Sequence, residues 1–151
     1  RGRLIPAGGF AHGNFNYRLD QLAVNLVGVG LRDCSEVSEG TDGCYGSGFI
    51  PFSLRHDSGF TVRNHLGEER GIPVFPGEIV FAKALAAERY ITNPISGTDR
   101  GLLSDYWRTE FRGRPLNGGY RLRIHDVPGF QWENVEDIQI VLGYRYWTRQ
   151  E

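Results

Sequence analysis

Residues 118–147 read GGYRLRIHDVPGFQWENVEDIQIVLGYRYW. Tyr120, Leu122 and Ile124 alternate with Arg121, Arg123 and His125. After a break at Asp126-Val127-Pro128-Gly129, Ile138, Ile140, Leu142, Tyr144 and Tyr146 recur at every second position. Alternation at period two places one set of side chains on one face of a strand. The stretch therefore predicts a long pair of strands, each with one apolar face. Such a pair needs a second sheet to cover it, which predicts a β-sandwich.

The rest of the chain agrees in composition. Its 151 residues suit one domain with a sizeable core. Aromatic residues make up 13%, and 21 glycines supply turns, which favours strands over helices. Phe15, Tyr17 and Leu19 alternate, and Leu22, Val24 and Leu26 alternate one residue out of phase. A β-bulge near Asp20-Gln21 accounts for the slip, and Asn25 is expected to face away from Val24 and Leu26. Ile50, Phe52 and Leu54 share a face opposite Ser53 and Arg55, and Asp57-Ser58-Gly59 signals a tight turn into Phe60–Arg63, a hairpin. The prolines of residues 72–77 keep that segment out of a central strand. Ile79-Val80-Phe81 reads as strand, and residues 82–89 have the composition of a short helix. Residues 97–101 read as a loop, and 102–111 as a strand or an irregular crossing. The expected architecture is all-β: a jelly-roll-like antiparallel β-sandwich over residues 17–151 with one short helix, preceded by a glycine-rich N-terminal arm, residues 1–16.

The net charge of −1 gives no global field for nucleic acid or an anionic membrane, so neither is expected as a partner. No apolar run is long enough for a membrane span. The chain starts with Arg1 and contains no Met, which reads as a processed product or a piece of a longer polypeptide. Cys34 and Cys44 bracket a polar loop. A disulfide between them would pin that loop and implies an oxidising compartment, hence a secreted or cell-surface protein.

The catalytic inventory is thin. The four histidines lie at no metal-ligand spacing, and no nucleophile elbow, dinucleotide fingerprint or P-loop occurs. His125 beside Asp126 could form an oriented pair, but the sequence as a whole points to a non-enzyme with no cofactor. Two acidic groups, Asp126, Glu133, Glu136 and Asp137, and Asp33, Glu36, Glu39 and Asp42, leave room for a structural calcium, although neither has the order of a calcium loop. Aromatics are the richest resource. Sugar recognition joins an aromatic platform for the C–H face of a pyranose to planar polar groups for its hydroxyls. Trp132 with Asn134, and Tyr106 and Trp107 with Asp105 and Arg108, are the candidate ligand-binding residues.

The run from Phe111 through Tyr120-Arg121-Leu122-Arg123-Ile124-His125-Asp126, followed by an apolar strand, resembles the closing strands of galactose-binding-like jelly-roll domains. Asp137 to Tyr144, together with Tyr17-Arg18-Leu19, also resembles strands in the C-terminal β-rich region of the large A subunits of insecticidal toxin complexes. Either resemblance implies a non-catalytic module within a larger secreted or surface assembly. The leading expectation is a lectin-like, carbohydrate-binding module. The alternative is a structural domain making protein–protein contacts with other chains, or with copies of itself as a homo-oligomer, in a multi-subunit complex or toxin particle.

Overall fold

The computed structural model describes residues 14–31, 50–57, 59–73, 76–127 and 130–148. Seven strands follow in chain order: β1 (Asn14–Gly28), β2 (Ile50–His56), β3 (Phe60–Arg63), β4 (Glu69–Ile72), β5 (Gly77–Ala84), β6 (Tyr120–Ile124) and β7 (Val135–Thr148). A single α-helix, α1 (Gly97–Leu103), lies between β5 and β6, and a 3-10 turn, Trp132–Asn134, precedes β7. Every strand pairing is antiparallel. The fold is an all-β, sandwich-like arrangement, as the alternation predicts.

The two strands that open the sequence reading do not pair with each other. β6 pairs with β2, in a sheet ordered β5-β2-β6, whereas β7 pairs with β1. The segment between them crosses from one sheet to the other. Alternation specifies which face of each strand is apolar, but it carries no information on which neighbour supplies the backbone hydrogen bonds.

The apolar faces meet in one core. Leu19, Leu22, Val24 and Leu26 of β1 pack against Ile50, Phe52 and Leu54 of β2 and Ile79, Ala82 and Ala84 of β5. Leu122, Ile124 and Leu142 close its sides. The slip between Leu19 and Leu22 is a bulge: Leu19 opposes Tyr144 while Gln21 opposes Gly143, so β1 carries an extra residue there.

β1 is buried on both faces. Ala23, Asn25 and Val27, on the face away from the main core, are as inaccessible as Val24 and Leu26. A second cluster of Ala23, Leu85, Ile91, Leu103 and Val141 covers that side, with Leu102, Tyr106 and Trp107 packed against it. The cover is residues 85–108. Leu26 N–H donates to Leu85 O at 2.8 Å, Leu85 N–H to Val24 O at 2.8 Å, and Arg108 and Leu22 exchange a pair of bonds at 2.8 and 3.0 Å.

Three local expectations differ. The helix expected over residues 82–89 is the end of β5 and its exit. Lys83 there is more exposed than its buried neighbours Ala82 and Ala84, a strand alternation, and Leu85 bonds to β1. Pairing on two sides outweighs the modest preference of Ala, Leu and Glu for helix. The helix lies instead at Gly97–Leu103, in a segment read as a loop and the start of a strand or crossing. Residues after it form an irregular crossing bridged to β1 through Arg108. The hairpin of β2 with β3 does not form, because both edges of β2 are taken by β5 and β6, and β3 pairs with β4. Residues 14–16, assigned to the arm, begin β1. Residues 1–13 of the arm, and Cys34 and Cys44 with the proposed disulfide, lie outside the described residues. No helix among the described residues is long and apolar enough to cross a membrane.

Candidate binding surface

The predicted ligand residues fall into two separate groups. Asn134 Nδ2 donates to Gly30 O at 2.8 Å, so its amide fixes the turn that ends β1. Trp132 is partly exposed at 40%, but its indole N–H donates to Asp126 Oδ1 at 2.7 Å and its ring meets Phe130 edge-on at 4.6 Å. Phe130 belongs to the main core, so Trp132 caps that core's end. Tyr106 and Trp107 lie against the second cluster, with the Lys83 ammonium 4.8 Å from the Tyr106 ring centre. Arg108 pairs with Glu110, and Asp105 is exposed. Arg108 bridges Leu22, whereas the Trp132 turn abuts Gly28. Six residues of strand separate those points, about 20 Å. The two tryptophans therefore form no common platform.

Two of the carboxylates expected for calcium are engaged by separate partners. Asp126 serves Trp132, and Asp137 accepts from Tyr90 Oη at 2.7 Å. Among the described residues no group of three or more His, Cys, Asp or Glu is placed to hold a metal ion. Asp33, Glu36, Glu39 and Asp42 lie outside the described residues.

Two polar constellations were not expected. The Ser53 Oγ and His125 Nε2 atoms are 2.7 Å apart on the face of the β5-β2-β6 sheet away from the core. His125 thus engages Ser53 of the neighbouring strand. Phe81, at φ 50° in a bulge of β5, stacks on the His125 ring at 4.8 Å. Ser53 pairs across the strands with Arg123, two residues before His125 and on the same face, so alternation alone could have placed both side chains on the outer face. A nucleophile–base pair needs a third group to orient the base and a cavity to hold substrate. Neither Ser53 nor His125 lines either of the two hollows described below.

The second constellation is His56, fully buried on the apolar face of β2. Its ring stacks on Tyr120 at 4.4 Å, and its Nδ1 lies 3.0 Å from Arg114 Nη1. Since guanidinium only donates, Nδ1 accepts and the ring is neutral with its proton on Nε2. Burial lowers the His56 pKa, the Arg114 charge lowers it further, and Asp57 opposes both. Burial also pushes the Tyr120 phenol up to about 12. Arg114 is wedged against Gly77, where a Cβ would fall 2.3 Å from its guanidinium carbon. This is a packed, charge-bearing plug at the end of the core.

A run of exposed aromatic residues lies along β7. This strand is 14 residues long, and β1 is its single strand partner among the described residues. Its other edge carries no backbone bond to another described segment. Ile138, Tyr144, Tyr146 and Trp147 are exposed along it, Trp147 at 64%. Tyr144 and Tyr146 pack against Tyr17 with tilted rings, centroids 5.7 and 5.2 Å apart. Two adjoining hollows of about 350 and 330 Å³ open at this end. They share Asn16, Arg18 and Arg63, and the second reaches Arg70 and Trp147. The sequence signal for this edge is a 14-residue alternating run without proline.

Comparison with known proteins finds no matching family model, curated protein or solved structure.

Proposed function

We propose that this chain is a non-catalytic assembly domain that receives a strand of another protein chain along the outer edge of β7. The observation that carries this is the length of that edge and its lack of a strand partner among the described residues. Soluble proteins blunt exposed edges with proline, inward charges, bulges or short strands, because unpaired N–H and C=O groups template pairing with other chains. β7 has 14 residues, no proline, and exposed Ile138, Tyr144, Tyr146 and Trp147 beside the edge. Strand addition draws affinity from backbone bonds and specificity from alternate side chains, and this edge offers both.

A second reading is glycan recognition, moved from the tryptophan loops to the hollows beside Trp147. An exposed indole next to Asn16, Arg18 and Arg70 joins an apolar ring face to planar polar groups.

Amide hydrogen exchange along β7 separates the readings. A library of extended peptides is selected on the full chain, and a glycan array is probed in parallel. Selected peptides with alternating apolar residues that slow exchange of β7 amides support strand addition. Glycan binding that involves Trp147 and leaves β7 exchange unchanged overturns it.

A further inference from the structure

Resting on the assembly reading, we propose that the strand received by β7 is β7 of a second copy of this chain, paired antiparallel about a two-fold axis at Val141. The product is a continuous sheet in the order β1-β7-β7-β1.

The register follows from charge. β7 has its acids at one end, Glu136 and Asp137, and Arg145 at the other. Arg145 stands directly across from Arg18 of β1, a like-charge neighbour, and it makes no ion pair among the described residues. Asp137, whose carboxylate accepts from Tyr90 Oη and the Ile138 N–H and keeps lone pairs for a cation, lies on the same face as Arg145, eight residues away, about 27 Å along the strand. No intramolecular approach can bring the two together. An antiparallel copy centred on Val141 places Asp137 of each strand opposite Arg145 of the other.

Three further features fit this register. A two-fold antiparallel pair that keeps each face of the sheet continuous aligns odd residues with odd ones. Among such registers, the one centred on Val141 is the one that opposes Asp137 and Arg145. It overlaps residues 135–147 of both strands, almost the whole of β7. It also sets Ile138 opposite Tyr144, joining two exposed apolar side chains across the seam, and Ile140 opposite Leu142. Isologous two-fold contacts are self-complementary in this way, since each contact occurs twice.

The test is sedimentation of the full chain over about 1–300 µM, a range that brackets dissociation constants typical of modest interfaces. Three charge variants accompany the wild type: Arg145→Asp, Asp137→Arg and the double swap. The expected result is a wild-type dimer, at least tenfold weaker dimerisation in each single variant, and recovery in the double swap. Thermal melting of each variant at a concentration where all are monomeric separates lost association from lost folding. A second readout is Asp137→Cys/Arg145→Cys, which forms an intermolecular disulfide under mild oxidation, while Asp137→Cys/Trp147→Cys, out of register, does not. Association that persists in Arg145→Asp without the cross-link overturns the β7 seam and leaves an assembly domain with a different interface. A chain that stays monomeric throughout overturns the second copy as occupant and leaves the β7 edge open to a different chain.

Discussion

Removing the Asn25 side chain should cost about 3 kcal/mol, because a completely buried amide holds the cover on the second face of β1. Asn25 is inaccessible and sits opposite Gln139 in the β1–β7 pair. Its Nδ2 donates to Arg89 O at 2.9 Å and Gln139 Oε1 at 3.1 Å, and its Oδ1 accepts from Ala87 N–H at 3.1 Å. Gln139 continues the chain: its Oε1 accepts from Ile91 N–H at 2.8 Å and its Nε2 donates to Ile91 O at 2.9 Å. The two side chains stand in for a strand edge on which residues 87–91 hang. Each bond contributes about 1 kcal/mol net. Asn25→Ala loses three bonds, about 3 kcal/mol, with a further contribution from the small cavity. Gln139→Ala also loses three, and one bond is common to both, so the double variant loses five rather than six. The predicted coupling is therefore about 1 kcal/mol, outside the few tenths expected for independent sites. Urea unfolding of the four proteins, followed by tryptophan fluorescence, measures it, since Trp107 packs in the cluster that this ladder holds down. An Asn25→Ala cost below about 1 kcal/mol, or strict additivity with Gln139→Ala, would refute the reasoning.

The remaining predictions concern pH and backbone packing. The His56 pKa is lowered in the fold, so below an unfolded-state value of about 6.5 the unfolded chain binds the extra proton and stability falls as pH drops. Above that value the contribution is complete. The slope of stability between pH about 6.5 and 5 should be shallower in His56→Gln than in wild type, measured by thermal melting. Asp99 accepts from Arg89 at 2.6 Å and from the Thr92 and Asn93 N–H groups at 2.9 and 3.0 Å, contacts that hold its carboxyl well below the usual range. Its contribution is present above the unfolded value of about 4 and is lost as pH falls below it, so Asp99→Asn should be less stable at pH 7 and lose less on acidification. Gly28→Ala would drive a Cβ to 2.0 Å from the Asn134 carbonyl oxygen, and the shift should cost about 1–3 kcal/mol in denaturant unfolding, with Trp132 fluorescence altered.

Alternation in the sequence was sufficient for the all-β class of the fold, because a strand's faces are encoded in its own residues. Phe52 and Leu54 belong to the core and Arg55 to the solvent, as their parity requires. The bulge between Leu19 and Gln21 was legible for the same reason, as a phase slip. The site was not legible. Trp132 and Trp107 are each surrounded by polar neighbours in sequence, but whether two loops share a surface depends on strand order. With β6 and β7 in different sheets, Trp132 caps one core and Trp107 packs on another.

The sequence by itself determined that this protein is built of strands with one apolar face each, since side-chain direction at period two is a local property of the backbone. Tertiary structure alone decided which strands are neighbours. It buried β1 on both sides, drew an Ala-rich segment into the end of a strand, and left one edge of β7 without a strand partner among the described residues. Those outcomes depend on backbone hydrogen bonds between residues far apart in the chain, such as Leu26 with Leu85 and Leu22 with Arg108, and every non-proline residue offers the same donor and acceptor for them.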